Sequence, residues 1–267
     1  MDARKQEEIS FHDALRRDAY EQRWSVEAEA RMAPDPLWAN FKYYSVERKS
    51  LEYLRNRLSQ HAPGKTVLDF GCGNGEESLF VARHGARRVV GIDLSEVSIE
   101  NCRQRAHSED LDGIVEFRIG DVEALDFEDN TFDLAMEYGV LHHVDLDAAM
   151  RELARVVRPG GAVICTEALG HNPAIQLYRR LTPSLRTKWE VEHIIRRHHF
   201  RTMRKYFETI DIRFFHLATL AAVPFRKCRW FGRLLASLET VDALLLKAPL
   251  LKWHAWECVF VLSAPKK

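Results

Sequence analysis

Apolar runs at residues 67–70, 89–94, 114–119, 132–136 and 162–167 recur through the middle of the chain, and each ends in an acid, a glycine or both. Short continuous runs of this kind fit strands buried on both faces. Helical patterning follows the first run at Glu76 and the second near Ser95. That alternation predicts an α/β, doubly wound domain. Upstream, residues 9–58 are charged, aromatic and helical in texture, and Pro34 and Pro36 break them in two. Downstream, residues 217–251 turn strongly apolar, with Arg226, Lys227, Arg229, Arg233 and Lys247 interleaved.

The first run leads into Asp69-Phe70-Gly71-Cys72-Gly73-Asn74-Gly75-Glu76-Glu77. Glycines at a strand end allow left-handed backbone and let a ligand approach closely. The spacing is G-x-G-x-G, whereas the dinucleotide fingerprint needs a glycine where Glu76 stands. Glu76 and Glu77 suit a helix start but would repel a pyrophosphate seated there. Asp69 is better matched to a cation such as an α-ammonium group. Asp93, about 20 residues on, stands where nucleotide-binding units place a carboxylate on ribose hydroxyls. The competing role, capping the next helix, falls to Ser95. Asp121, after Gly120, is a third acid at a third strand end.

With these motifs, Phe132–Val144 and Arg151–Gly161 make residues 65–168 resemble the class I S-adenosylmethionine-dependent methyltransferases of the small-molecule type, methyltransferase type 11-like. The resemblance implies a Rossmann-like seven-stranded sheet whose last strand, Ala255–Leu262, is an antiparallel edge. It also implies helical insertions at the N-terminus and after the fifth strand. The expected divisions are an N-terminal extension or lid at 1–58, a cofactor-binding core at 59–168, a substrate-side insertion at 169–254, and a last strand and tail at 255–267.

Carried residue by residue, the resemblance assigns the methionine part of S-adenosylmethionine to Asp69, Phe70, Gly71, Cys72, Gly73 and Gly75. Asp93, Leu94 and Ser95 fall to the ribose, and Gly120, Asp121 and Val122 to the adenine edge. Glu137, Tyr138, Gly139 and His142 lie near the sulfonium. His142 and His143 are adjacent, which is not metal-ligand spacing on a helix, and His142 is expected to pack against the cofactor. The product would be S-adenosylhomocysteine.

Acceptor contacts are expected outside the carboxyl ends of the strands. Gly170-His171-Asn172-Pro173, Thr182-Pro183, Arg186-Thr187 and Glu192-His193 are similar to a bacterial subgroup, although Lys188–Val191 is extra and no proline follows His193. The substrate-binding candidates are Tyr43, Tyr44, Glu167, His171, Asn172, Tyr178 and Arg186. Methyl transfer is an in-line displacement, so alignment and desolvation supply most of the rate. A base matters only where the acceptor holds its proton, and His171 and His193 are the catalytic candidates. Their competing role is to cap or bond the backbone. Arg179, Arg180, Arg186 and Lys188 could meet an acidic acceptor, but a solvated helix face is the expected place for most of them. His198 and His199 lack accompanying acids or cysteines, so no metal is expected.

The chain has 267 residues, 39 basic and 39 acidic, and so a formal net charge of zero. That balance argues against a nucleic-acid surface. Five cysteines without C-x-x-C pairing suggest neither zinc nor a disulfide framework, and a cytoplasmic setting is expected. No run approaches the ~18 apolar residues of a membrane span. The 217–251 segment is expected to pack beside the N-terminal extension or on a second subunit, with peripheral membrane contact as its other use. The predicted function is methyl transfer to a natural-product, lipid or quinone-like acceptor at oxygen, carbon or nitrogen. A non-catalytic cofactor-binding scaffold and a NAD-dependent oxidoreductase are the alternatives, and the second leaves Asp121 and residues 139–144 without a role.

Overall fold

A computed structural model describes residues 2–16 and 24–267. Residues 17–23, part of the expected N-terminal extension, lie outside the described residues. The chain begins with α1 (Ala3–Arg16) and α2 (Val26–Met32), then a 3-10 segment over Pro36–Val46 and α3 (Arg48–His61). The core alternates β1 (Thr66–Phe70), α4 (Glu76–Arg83), β2 (Arg88–Asp93), α5 (Glu96–Ser108), β3 (Val115–Ile119), β4 (Phe132–Tyr138), α6 (Leu146–Val156) and β5 (Val157–Ala168). Beyond it come α7 (Pro173–Leu181), α8 (Lys188–His193), α9 (His199–Tyr206), β6 (Phe207–Phe215), α10 (Phe231–Leu245) and β7 (Glu257–Pro265).

The seven strands lie in the order β3-β2-β1-β4-β5-β7-β6. The first five are parallel, and β7 runs antiparallel to both β5 and β6. Successive residues of β1 face opposite cores: Leu68 and Phe70 join Met150, Leu153 and Phe200 on one side, and Val67 joins Leu54, Leu79 and Ile99 on the other. A sheet covered on both faces accounts for runs that are apolar throughout rather than alternating.

One expectation needs correction. The last strand is antiparallel but internal, and the edge is β6, a strand without a place in the sequence reading. Cys258, Val259, Phe260 and Leu262 are all fully buried, which an edge position would not produce. β6 instead alternates, with Glu208 and Asp211 exposed beside buried Phe207. The apolar 217–251 segment packs beside the N-terminal segment: Ala222, Val223 and Leu235 cluster with Val46 and Tyr43. Leu244 and Leu250 remain exposed. Among the described residues no helix is long and apolar enough to cross a membrane.

Candidate functional site

Strand order reverses between β1 and β4, so their carboxyl ends splay apart and leave a crevice there. Gly71, Gly73 and Gly75 all take positive φ, at 69°, 53° and 75°. At Gly71 a side chain is excluded twice over, because a Cβ would also stand 2.4 Å from Val140. The turn therefore offers bare backbone to the crevice. Beneath it Asp69, 3% exposed, accepts a 2.6 Å hydrogen bond from the Ser78 hydroxyl. Burial outweighs that bond and pushes the Asp69 carboxyl up to about 7.

At the end of β2, the Asp93 carboxylate accepts from the Gly73 and Ser95 amides, each at 2.9 Å. Ser95 caps α5 by accepting from the Ser98 amide at 3.0 Å. Beyond β3, Asp121 accepts from the Glu123 amide at 2.9 Å. These acids share a small hollow of about 100 Å³ with Leu94, Gly120 and Val122. A larger cavity of about 350 Å³ adjoins it, and Gly71, Tyr138 and Gly139 line both. Asp69, Cys72, Gly73 and His142 also face the larger cavity. Phe70, Gly75 and Glu137 do not line either hollow. Phe70 is core, Gly75 precedes α4, and Glu137 accepts from the Val140 amide at 2.8 Å to hold the turn after β4. Behind His142, Glu167 accepts from the Leu141 amide at 2.5 Å and lies 2.5 Å from His142 Nδ1. Burial alone would lower the His142 imidazole, but Glu167 raises it above its ordinary value.

Helix α1 closes over the small hollow through its charges. Lys5 pairs with Asp121, Arg4 with Glu123 at 2.6 Å, and Arg16 with Asp93 at 3.3 Å. Glu8 is the helix's clasp: it accepts from His143 at 2.9 Å and from the Thr187 hydroxyl, with His12 Nε2 at 3.7 Å. Burial would raise the Glu8 carboxyl, yet His12 and His143 bring it well below the usual range. Burial, reinforced by Arg16, pushes the His12 imidazole down to about 4. The donor atoms of Glu8, His12 and His143 lie within 4.8 Å of one another, close enough to share a metal ion. As His143 and Thr187 already satisfy Glu8, the trio also holds without one.

The far wall of the larger cavity is aromatic. Tyr43 meets Tyr178 edge to face at 5.3 Å and Trp256 at 5.7 Å, while Trp38 and Phe41 complete the stripe. Tyr44 and Arg186 line it too, and the Tyr178 hydroxyl donates to Asn40 at 3.1 Å. Asn172 is buried instead as the cap of α7, accepting from Ala174 and Ile175 amides at 3.1 and 3.2 Å. Neither His171 nor His193 is on the lining. His171 Nε2 accepts from the Arg197 amide at 3.0 Å, and His193 stacks on Trp189 with ring centroids 3.6 Å apart.

Sequence reasoning overlooked Arg16, Glu47 and Glu257 on this cavity, and Arg179, expected on a solvated helix face, lines it as well. Glu257 accepts from the Tyr138 hydroxyl at 3.2 Å, and burial pushes its carboxyl up to about 7. A carboxyl in an otherwise apolar strand, as in Trp256-Glu257-Cys258-Val259, was the available signal.

Residues 68–165 match the family model described as a methyltransferase domain. Over that stretch the chain is similar to the methyltransferase family. Among curated proteins, the 27-O-demethylrifamycin SV methyltransferase of Amycolatopsis mediterranei is 35% identical over 138 residues, 48% of this chain and 51% of that protein. A demethylmenaquinone methyltransferase of Symbiobacterium thermophilum is 34% identical over 109 residues, 40% of this chain and 43% of that protein. The chain thus spans about half the length of the curated relatives it matches. The fold extends further. The geranyl diphosphate C-methyltransferase of Streptomyces coelicolor, solved with Mg2+, geranyl diphosphate and S-adenosyl-L-homocysteine, superposes over 98% of both chains with a TM-score of 0.65 at 16% identity. The sheet and its helical additions therefore follow a known architecture, while the aromatic wall of the larger cavity lies largely outside residues 68–165.

Proposed function

We propose that the chain is a cytoplasmic S-adenosylmethionine-dependent methyltransferase acting on a small natural-product, lipid or quinone-like acceptor. The observation that carries this is the convergence of Asp69, Asp93 and Asp121, from three parallel strand ends, on hollows that open into an aromatic cavity. The bare Gly71 turn and the acid set fit the cofactor: Asp69 and the Gly71 and Gly73 backbone would hold its methionine part, Asp93 the ribose and Asp121 the adenine edge. Bound there, the group supplies an activated methyl on a sulfonium.

The protein's own share is alignment and exclusion of water. In this reading residues 1–58 act as a lid through α1, and 169–254 as the acceptor wall, with Tyr43, Tyr44, Tyr178 and Arg186 touching the acceptor. An acceptor that must shed a proton meets Glu257, whose affinity for protons near neutrality suits a general base. His171 and His193 then position the wall rather than react.

Calorimetry with S-adenosylhomocysteine and NAD, side by side, tests the reading. Heat with the former alone is expected, and heat with NAD alone would replace methyl transfer by hydride transfer.

A further inference from the structure

Two arginines on the insertion line the same cavity and live in different circumstances. Arg186 is satisfied: its Nη1 donates to the Thr182 carbonyl at 2.9 Å, and its Nε lies 3.4 Å from Glu190. Arg179, on α7, is only 8% exposed, and among the described residues its guanidinium makes no hydrogen bond or ion pair. Its Nη1 is buried without any partner.

The acids that could serve it are committed elsewhere. Glu190 faces Arg186, and Glu167 holds the Leu141 amide and His142. Two further acids on the cavity lining, Glu47 and Glu257, are pushed toward their neutral forms by burial. Around Tyr178 the charge is positive, because Lys42 sits 4.8 Å and Arg186 5.7 Å from its ring centre. Removing a charge from water without a partner is costly, and a protein keeps such a group chiefly where a ligand completes it.

We propose that Arg179 is the anchor for an anionic oxygen group on the acceptor, a carboxylate or phosphate carried by an aromatic or otherwise apolar body. A guanidinium offers a planar fork of donors that either oxyanion can accept bidentately. The apolar body lies along Tyr43, Tyr178, Trp38 and Trp256, so the cavity selects for a charged head and an oily remainder. This deepens the methyl-transfer reading and rests on it for the word acceptor.

The full chain, saturated with S-adenosylhomocysteine, is titrated calorimetrically with 2-naphthoate, 2-naphthyl phosphate and the neutral 2-naphthamide. At least one anion is expected to bind tenfold or more tightly than the amide, and which one identifies the oxyanion. Arg179→Met should erase that preference, leave S-adenosylhomocysteine affinity unchanged, and keep or raise the unliganded melting temperature, since no partner is lost. Arg179→Lys should restore part of the preference. Equal binding of anion and amide, binding of neither anion, or a preference that survives Arg179→Met overturns the proposal. So does a marked fall in melting temperature in both variants, the mark of a purely structural arginine. Failure of the wild type to bind S-adenosylhomocysteine, with the anion preference intact, would sink the transfer reading alone.

Discussion

At the glycine-loop end of the crevice, the polar groups come from three successive strand ends, and each is already held: Asp69 by Ser78, Asp93 by two amides, and Asp121 by an amide and Lys5. At the aromatic end, Tyr43, Tyr178, Arg179 and Trp256 come from segments before and after the five parallel strands, and among the described residues the buried Arg179 guanidinium has no partner. The first region is preorganised by the backbone that carries it, and it presents one arrangement to one kind of ligand. The second is a packed wall whose chemistry is finished only by what binds it. A domain that keeps its cofactor and changes its acceptor has its variation where the second plan applies.

The strongest way to break this contrast is at Gly71. Gly71→Val combines a left-handed backbone that a β-branched residue resists with an overlap against Val140, each costing about 1–3 kcal/mol. Thermal unfolding should shift sharply down and S-adenosylhomocysteine binding should vanish; near-normal binding would mean that the loop is not preorganised. Next, Asp93→Ala should weaken that ligand by about 1.5–3 kcal/mol, the scale of hydrogen bonds to a charged group, with the fold retained. Unchanged affinity would reduce Asp93 to a brace between Gly73 and Ser95.

Asp69 sharpens the comparison through pH. Its carboxyl sits up at about 7, and a ligand ammonium favours the ionised form, so binding must release a proton below that value. Affinity for S-adenosylhomocysteine should therefore rise about tenfold between pH 6 and 8, and calorimetry in buffers of different ionisation heat should detect the proton. A flat profile would remove Asp69 from the ammonium contact. The smallest effect is expected at the clasp. The Glu8 carboxyl is depressed in the fold, so its contribution is present above pH 4.5 and lost as pH falls toward its lowered folded value. At neutral pH Glu8→Gln should cost about 1 kcal/mol and speed amide exchange across residues 3–16. Exchange that accelerates equally in β1 would mean that Glu8 supports the whole domain rather than α1.

The same contrast governs what the sequence can convey. A glycine turn, Asp93 and Asp121 are read locally, because their roles follow from backbone geometry at the end of a recognisable strand. Arg179 and Arg186 are indistinguishable on that basis. Arg179 is buried only once α7 packs against the N-terminal segment, while Arg186 finds its partners nearby in the chain, at Thr182 and Glu190, so in the sequence both merge into one basic stretch. β6 hides for a related reason: Phe207–Phe215 alternates weakly between basic and apolar helices, and half of it faces solvent. Its neighbour β7 carried a better signal. The unbroken Cys258–Leu262 run belongs to a strand covered on every side, and reading it by its apolarity rather than by family habit places it inside the sheet.

That placement has a consequence for how the molecule is made. β6 touches the sheet only through β7, which the ribosome delivers about 40 residues later. The five parallel strands, with the whole glycine loop and its acids, can pair while synthesis continues. β6 must wait with its backbone unpaired until β7 has docked on β5. Substitutions in β7 should thus burden chaperones and lower yield far more than their effect on the finished protein would indicate.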